Sequence, residues 1–300
     1  MLRDDLKSEF DSLRPGGTTD AGPSRRTALK TALGVGYAAS VLPVQAQTAI
    51  KTPAEGLRAG QISFDVGGFK IPAYFAAPEA KAGLPVVLVV QEIFGVHEYI
   101  ADTVRRLAKE GYLAIAPDLY ARQGDATKYT DIPKLMTDIV SKVSDAQVMA
   151  DLDGAVLWAG ANGGDVGKLA ITGFCWGGRI AWLYTAQAPV KAAVAWYGRL
   201  AGTPNELTPT NPVDIAASLR GPVLGLYGGQ DTGITQDTVV KMRQALAAAG
   251  TPAAKASEIV VYPEAGHAFH ADYRASYKKD AAEDGWKRML AWFKKNGVNT

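Results

Sequence analysis

Gly173-Phe174-Cys175-Trp176-Gly177 sets the only cysteine of a 300-residue chain between two glycines. Before it, Lys168-Leu169-Ala170-Ile171-Thr172 has the apolar continuity of a short buried strand; after it, Arg179-Ile180-Ala181-Trp182-Leu183-Tyr184 has the apolar spacing of a helix. A nucleophile on a sharp strand-to-helix turn needs small neighbours, because helix and strand pass close beside it, and Gly173, Gly177 and Gly178 meet that need. The stretch therefore predicts a nucleophile elbow with sulfur in place of oxygen, its side chain held out at the top of a sheet.

A free thiol has a pKa of about 8.5, and the thiolate is the species that attacks. The start of a helix favours an anion by only about 0.3 to 1 kcal/mol, less than one pKa unit, so a base is needed as well. In hydrolytic sites built on such an elbow the chain order is nucleophile, acid, histidine, each on a loop after its own strand. Three histidines occur, at 97, 267 and 270. His97 precedes the elbow in a segment that reads as a helix start. Val260-Val261-Tyr262-Pro263-Glu264-Ala265-Gly266-His267 reads as a strand ending in a glycine loop, which makes His267 the expected base and leaves His270 further along the loop. Val223-Leu224-Gly225-Leu226-Tyr227-Gly228-Gly229-Gln230-Asp231 is another buried strand running out to a carboxylate, expected to orient His267 and stabilise its imidazolium. Taken singly, Cys175 reads equally as a small buried hydrophobe, Asp231 as a turn residue and His267 as a loop residue. Their conjunction in this order favours a catalytic triad.

With these segments in place, the chain resembles the dienelactone hydrolase family, carboxymethylenebutenolidases of the α/β-hydrolase fold, over roughly residues 60 to 297. Gln91-Glu92-Ile93-Phe94-Gly95 is similar to the family's segment after its third strand, Pro117-Asp118-Leu119-Tyr120-Ala121-Arg122 to its substrate-binding loop, and Gly173 to Gly178 to its elbow. Gly228-Gly229-Gln230-Asp231 and Gly266-His267-Ala268-Phe269 resemble its acid and histidine loops. The resemblance implies Cys175 as nucleophile, His267 as base and Asp231 as its partner. It implies that Glu92 holds the resting thiol and helps generate the thiolate when substrate arrives, and that the backbone N–H groups of Ile93 and Trp176 form the oxyanion hole. It further implies Arg122 as the binder of a substrate carboxylate, with Tyr120, Tyr197 and Phe269 beside the substrate. Trp176, Trp196 and Phe94 join Tyr120 and Tyr197 as candidates for an apolar lining, the alternative being ordinary core packing. One departure bears on substrate: family members follow the histidine with Ser-Phe and soon a second carboxylate-binding arginine, whereas here the run is Ala268-Phe269-His270-Ala271, and Arg274 stands displaced from the expected place.

Composition agrees with a single α/β domain. Hydrophobic residues make up 47% and charged residues 21%, enough for a sizeable core. A net charge of +2, without a basic run, gives no case for nucleic acid. The body of the chain has no long apolar stretch, so no membrane span is expected after processing. Helical and strand patterns alternate from residue 85 onward, after a hairpin signal at Gly67-Gly68, which predicts a mostly parallel central sheet with helices on both faces. Residues 61–300 are read as this domain, 47–60 as a linker and 1–46 as a leader. Within the leader, Ser24-Arg25-Arg26-Thr27-Ala28-Leu29-Lys30, a mildly apolar stretch and Val44-Gln45-Ala46 resemble a twin-arginine export signal, so a periplasmic or exported protein is expected. The oligomeric state is not legible. No cofactor or metal is expected, since His267 and His270 lack further ligands at suitable spacing except Asp272. The leading expectation is hydrolysis of a small-molecule ester or lactone through a thioester on Cys175. A binding or thiol redox-sensing protein on the same fold is the alternative, and a cysteine peptidase is a weaker one.

Overall fold

The computed structural model describes residues 50–79 and 81–300, so the expected leader lies outside the described residues. The sheet opens with a hairpin, β1 (Leu57–Val66) against β2 (Phe69–Pro78), antiparallel across Gly67 and Gly68. Both glycines have positive φ, 60° and 82°, as a two-residue hairpin turn requires. Since β1 starts at Leu57, residues 57–60 belong to the sheet rather than to a linker.

After the hairpin come β3 (Leu84–Val90), β4 (Leu113–Pro117), β5 (Gly164–Phe174), β6 (Ala192–Trp196), β7 (Val223–Gly228) and β8 (Glu258–Tyr262). Among the described residues the spatial order is β1-β2-β4-β3-β5-β6-β7-β8, with every pairing from β4 to β8 parallel. The helices are α1 (Glu98–Lys109), α2 (Ile132–Asp138), α3 (Asp145–Ala161), α4 (Trp176–Gln187), α5 (Gln236–Ala249), α6 (Pro252–Ala256) and α7 (Lys279–Lys295). The sequence pattern does not foretell the short α6.

Strand β3 shows why helices cover both faces. Its residues are all buried; Val86, Leu88 and Val90 enter one apolar cluster, with residues of α3, α4 and α5, while Val87 and Val89 enter another, with residues of α1 and α7. A strand sealed on both sides reads as an unbroken apolar run for this reason. The chain leaves β3 toward β4 on one side and resumes at β5 on the other. Such a reversal opens a crevice at the carboxyl ends of the strands, and the elbow and Glu92 stand at its two lips.

Candidate active site

Cys175 joins β5 to α4 with φ 55° and ψ −117°, a backbone conformation that costs about 1–3 kcal/mol and persists only where its surroundings enforce it. Here the enforcement is close packing. A Cβ on Gly173 would lie 2.0 Å from the carbonyl oxygen of Gly177, and one on Gly178 would lie 2.5 Å from that of Trp196. The Cys175 N–H donates to the Trp196 carbonyl at 3.0 Å, tying the turn to the end of β6. Arg179 anchors the helix from below, donating from its two terminal nitrogens to both carboxylate oxygens of Asp145 at 2.6 and 2.8 Å and to the Thr210 carbonyl at 2.7 Å.

The acid and the base meet where the strand pattern puts them. His267 Nδ1 lies 2.7 Å from Asp231 Oδ2. The other carboxylate oxygen of Asp231 accepts from the N–H groups of Gly233 and Ile234, both at 2.9 Å, which holds the carboxylate in plane with its turn. Ala268, at φ 57°, bends the chain sharply after the histidine. Burial disfavours a charged imidazole, but Asp231 and Cys175, the former through charge and a hydrogen bond, outweigh it and lift the His267 pKa to about 10. Its Nε2 is buried without a well-formed hydrogen bond, and the group it interacts with is Cys175. The imidazole thus stands between a carboxylate and a thiol, the arrangement in which a base is oriented toward a nucleophile.

Glu92 follows β3 and is buried. Burial pushes its pKa up, but the His97 ring, the Arg274 charge and the Tyr273 hydroxyl together hold it below the usual carboxylate range, so the group is ionised. Tyr273 donates to Glu92 Oε2 at 2.6 Å, while His97 Nε2 stands 3.6 Å away, too far for a formed hydrogen bond. Gly177 of the elbow packs against the carbonyls of Val90 and Gln91, which brings the end of β3 against the first turn of α4. Trp176 is the first residue of that helix, and its N–H has no intrahelical acceptor.

The expected substrate residues divide. Tyr120 is buried edge-on to Trp176, ring centroids 4.9 Å apart. Tyr197 lies edge-on to His267 at 5.2 Å, with Phe269 behind it, packed on Trp196 and Tyr262. Arg122 is engaged within the protein. Its Nη1 donates to both oxygens of Asp151 at 2.7 Å, its Nη2 donates to the Val66 carbonyl at 3.1 Å, and its guanidinium lies over the Phe69 ring. Its Nη1 and one N–H of Nη2 are taken up by α3 and the hairpin, so these donors are not open to a substrate. Arg274, displaced in sequence, reaches the site instead. Burial opposes its charge, and Tyr273, Glu92, Cys175 and Tyr197 sustain it. Its guanidinium lies 5.2 Å from the Phe94 ring centroid, and its Nη2 is buried with no hydrogen-bond partner among the described residues. Tyr273 and His97 carried no sequence signal for this role, since they meet Glu92 only through the fold. The two loop histidines go to different partners, His267 to Asp231 and His270 to the Tyr99 hydroxyl at 2.6 Å.

Residues 71–297 match the family model described as "Dienelactone hydrolase family". This chain belongs to the dienelactone hydrolase family. A protein of Methylorubrum extorquens, provisionally named a carboxymethylenebutenolidase, is 57% identical over 277 residues, 92% of this chain and 94% of its own length. One of Escherichia coli K12, named in the same way, is 58% identical over 264 residues, 87% of this chain and 96% of its own. A crystal structure from Klebsiella pneumoniae, titled provisionally as a dienelactone hydrolase, superposes with a TM-score of 0.77 at 60% identity, covering 80% of this chain and 99% of that one. Pyrococcus horikoshii acylaminoacyl peptidase, at 14% identity and a TM-score of 0.65, shares the fold alone over 82% of this chain and 42% of its own. Family membership makes the chain an α/β-hydrolase of the carboxylic ester hydrolase class, with small molecules as substrates.

Proposed function

We propose that this protein cleaves small esters or lactones that carry a carboxylate, through a Cys175-His267-Asp231 triad and a thioester intermediate. The reading rests above all on the 2.7 Å contact between His267 and Asp231, with Cys175 as the other partner of the same ring. The Cys175 thiolate adds to the carbonyl carbon, and the oxyanion so formed is met by the N–H groups of Ile93 and Trp176, each worth about 2.7–4 kcal/mol. As the tetrahedral intermediate collapses, the C–O bond breaks and His267 Nε2 gives its proton to the departing oxygen. Water then attacks the thioester, His267 takes its proton, and the C–S bond breaks to return the thiolate and a carboxylate product. The unpartnered Arg274 Nη2 supplies the receptor for the substrate's own carboxylate. Glu92, ionised beside it, is placed to answer the arrival of that second anion.

The test is hydrolysis of an activated neutral ester and of a dienelactone by the protein, beside Cys175→Ala and His267→Ala. Loss of both activities in both variants supports the triad, and an acyl adduct on Cys175 seen by mass spectrometry in His267→Ala supports the thioester. Variants that match wild type would sink the reading and favour the binding or redox-sensing alternative. The Arg25-Arg26 pair supports a further part of the proposal, export to the periplasm. Replacing both arginines by lysine should retain the protein inside the cell, as fractionation would show.

A further inference from the structure

Tyr197 combines two costs that core packing does not explain. It is a non-glycine residue at φ 40°, and its hydroxyl is buried without a well-formed hydrogen bond. Buried hydroxyls nearly always find partners, and an unmet one in a strained residue points to a partner that comes and goes. The strain is imposed from both sides. The Tyr197 N–H donates to the Leu226 carbonyl at 2.8 Å, and the preceding carbonyl, that of Trp196, accepts from the Cys175 N–H. The turn that carries the thiol and the turn that carries the phenol are thus locked to each other by one hydrogen bond.

The phenol faces the reacting centre. Its ring lies edge-on to His267 at 5.2 Å and 6.4 Å from Phe174, the residue before the nucleophile. Behind it stands the Tyr99 hydroxyl of α1, itself 2.6 Å from His270 Nδ1. His270 lies in an aromatic cage of Phe174, Trp196 and Trp286, which fixes the ring and with it Tyr99. Burial first, then the charges of Tyr99 and Glu92 and the contact with Tyr99, keep the Tyr197 phenol protonated, with Cys175 adding to the effect. A phenol kept protonated, whose hydroxyl meets Tyr99 without good hydrogen-bond geometry, is a donor available to a nearby anion.

We propose that the Tyr197 hydroxyl donates a hydrogen bond to the sulfur of Cys175 in its thiolate form, with Tyr99 and His270 fixing its direction. Tyr197 is then part of the reacting centre rather than a wall of the pocket. The inference rests on Cys175 as nucleophile but not on the identity of the substrate.

Alkylation of Cys175 by iodoacetamide across pH 5 to 10 tests it without turnover. The other ionisable groups around the thiol are Glu92 after β3, His97 and Tyr99 at α1, and His267, Tyr273 and Arg274 on the histidine loop. All remain in Tyr197→Phe, so a shift in the profile belongs to the lost hydroxyl. Tyr197→Phe should move the midpoint to higher pH and slow alkylation at neutral pH about tenfold, the size expected of a hydrogen bond to a charged group. Tyr99→Phe should move it in the same direction by less. Fluorotyrosine at 197, a stronger donor of the same shape, should move it to lower pH and keeps the test available if the phenylalanine variant does not fold. An unchanged midpoint in folded Tyr197→Phe, or a shift to higher pH with fluorotyrosine, overturns the proposal. A wild-type protein that shows these shifts yet cleaves no ester would leave this inference standing and sink the hydrolytic mechanism.

Discussion

Arg122, on the loop after β4, and Arg274, on the loop after β8, have the same side chain and opposite employment. Arg122 meets Asp151, a carboxylate buried on α3, and is spent on holding the hairpin to the helix. Arg274 enters a pocket whose acidic groups sustain its charge while its Nη2 stays without a hydrogen bond. Which arginine is free to take an external anion is decided not by its loop but by what the fold leaves unpaired beside it, because N–H groups already given to a carboxylate and a carbonyl are not offered to a ligand.

Four experiments break or sharpen this contrast. The largest effect concerns the ground on which the Arg274 loop rests. Burial and the nearby Arg106 charge push His270 down to about 3, so it stays neutral in the fold, while the unfolded chain takes up a proton below about 6.5. Stability is therefore lost as pH falls from about 6.5 to about 3, by on the order of 5 kcal/mol from this group. Urea midpoints measured down this range should fall steeply in wild type and less in His270→Gln, which does not titrate. Next, Arg274→Gln should lower kcat/KM for a carboxylate-bearing ester about 10- to 100-fold while leaving a neutral ester within a few-fold. Equal losses on both would return the anion receptor to another residue. Third, Arg122→Ala should cost about 1–3 kcal/mol by orphaning Asp151, seen as a lower melting temperature, with the preference for anionic esters intact. Loss of that preference without loss of stability would restore Arg122 to the site. The smallest is Tyr273→Phe. Without its donor the Glu92 carboxylate rises toward its ordinary range, and the acid limb of kcat/KM should move to higher pH.

What could be read in advance follows from distance along the chain. The elbow was legible because its pattern is local: Gly173, Cys175, Gly177 and Gly178 lie within six residues, and a Cβ on Gly173 would meet Gly177 of the adjoining helix, although Gly177 and Gly178 pack on the ends of β3 and β6, which the sequence does not place beside them. Asp231 and His267 were legible because each ends a strand whose apolar run is visible. The Arg122 pairing was not legible, because its partner Asp151 lies on another element and nothing in Tyr120-Ala121-Arg122 foretells it. Tyr273 and Glu92 are separated by 181 positions and meet only when β3 and the histidine loop share one edge of the sheet. The reversal at β4-β3-β5 that creates this edge is likewise a property of assembly.

That the chain owns a single sulfhydryl, seated at the elbow with 3% of its surface exposed, has an analytical consequence. Any thiol-specific label incorporated by the folded protein must have reached the elbow, so moles of label per mole of chain count accessible elbow thiols directly. Folded fractions whose elbow is closed or already modified become a stoichiometric quantity, measurable before a natural substrate is in hand.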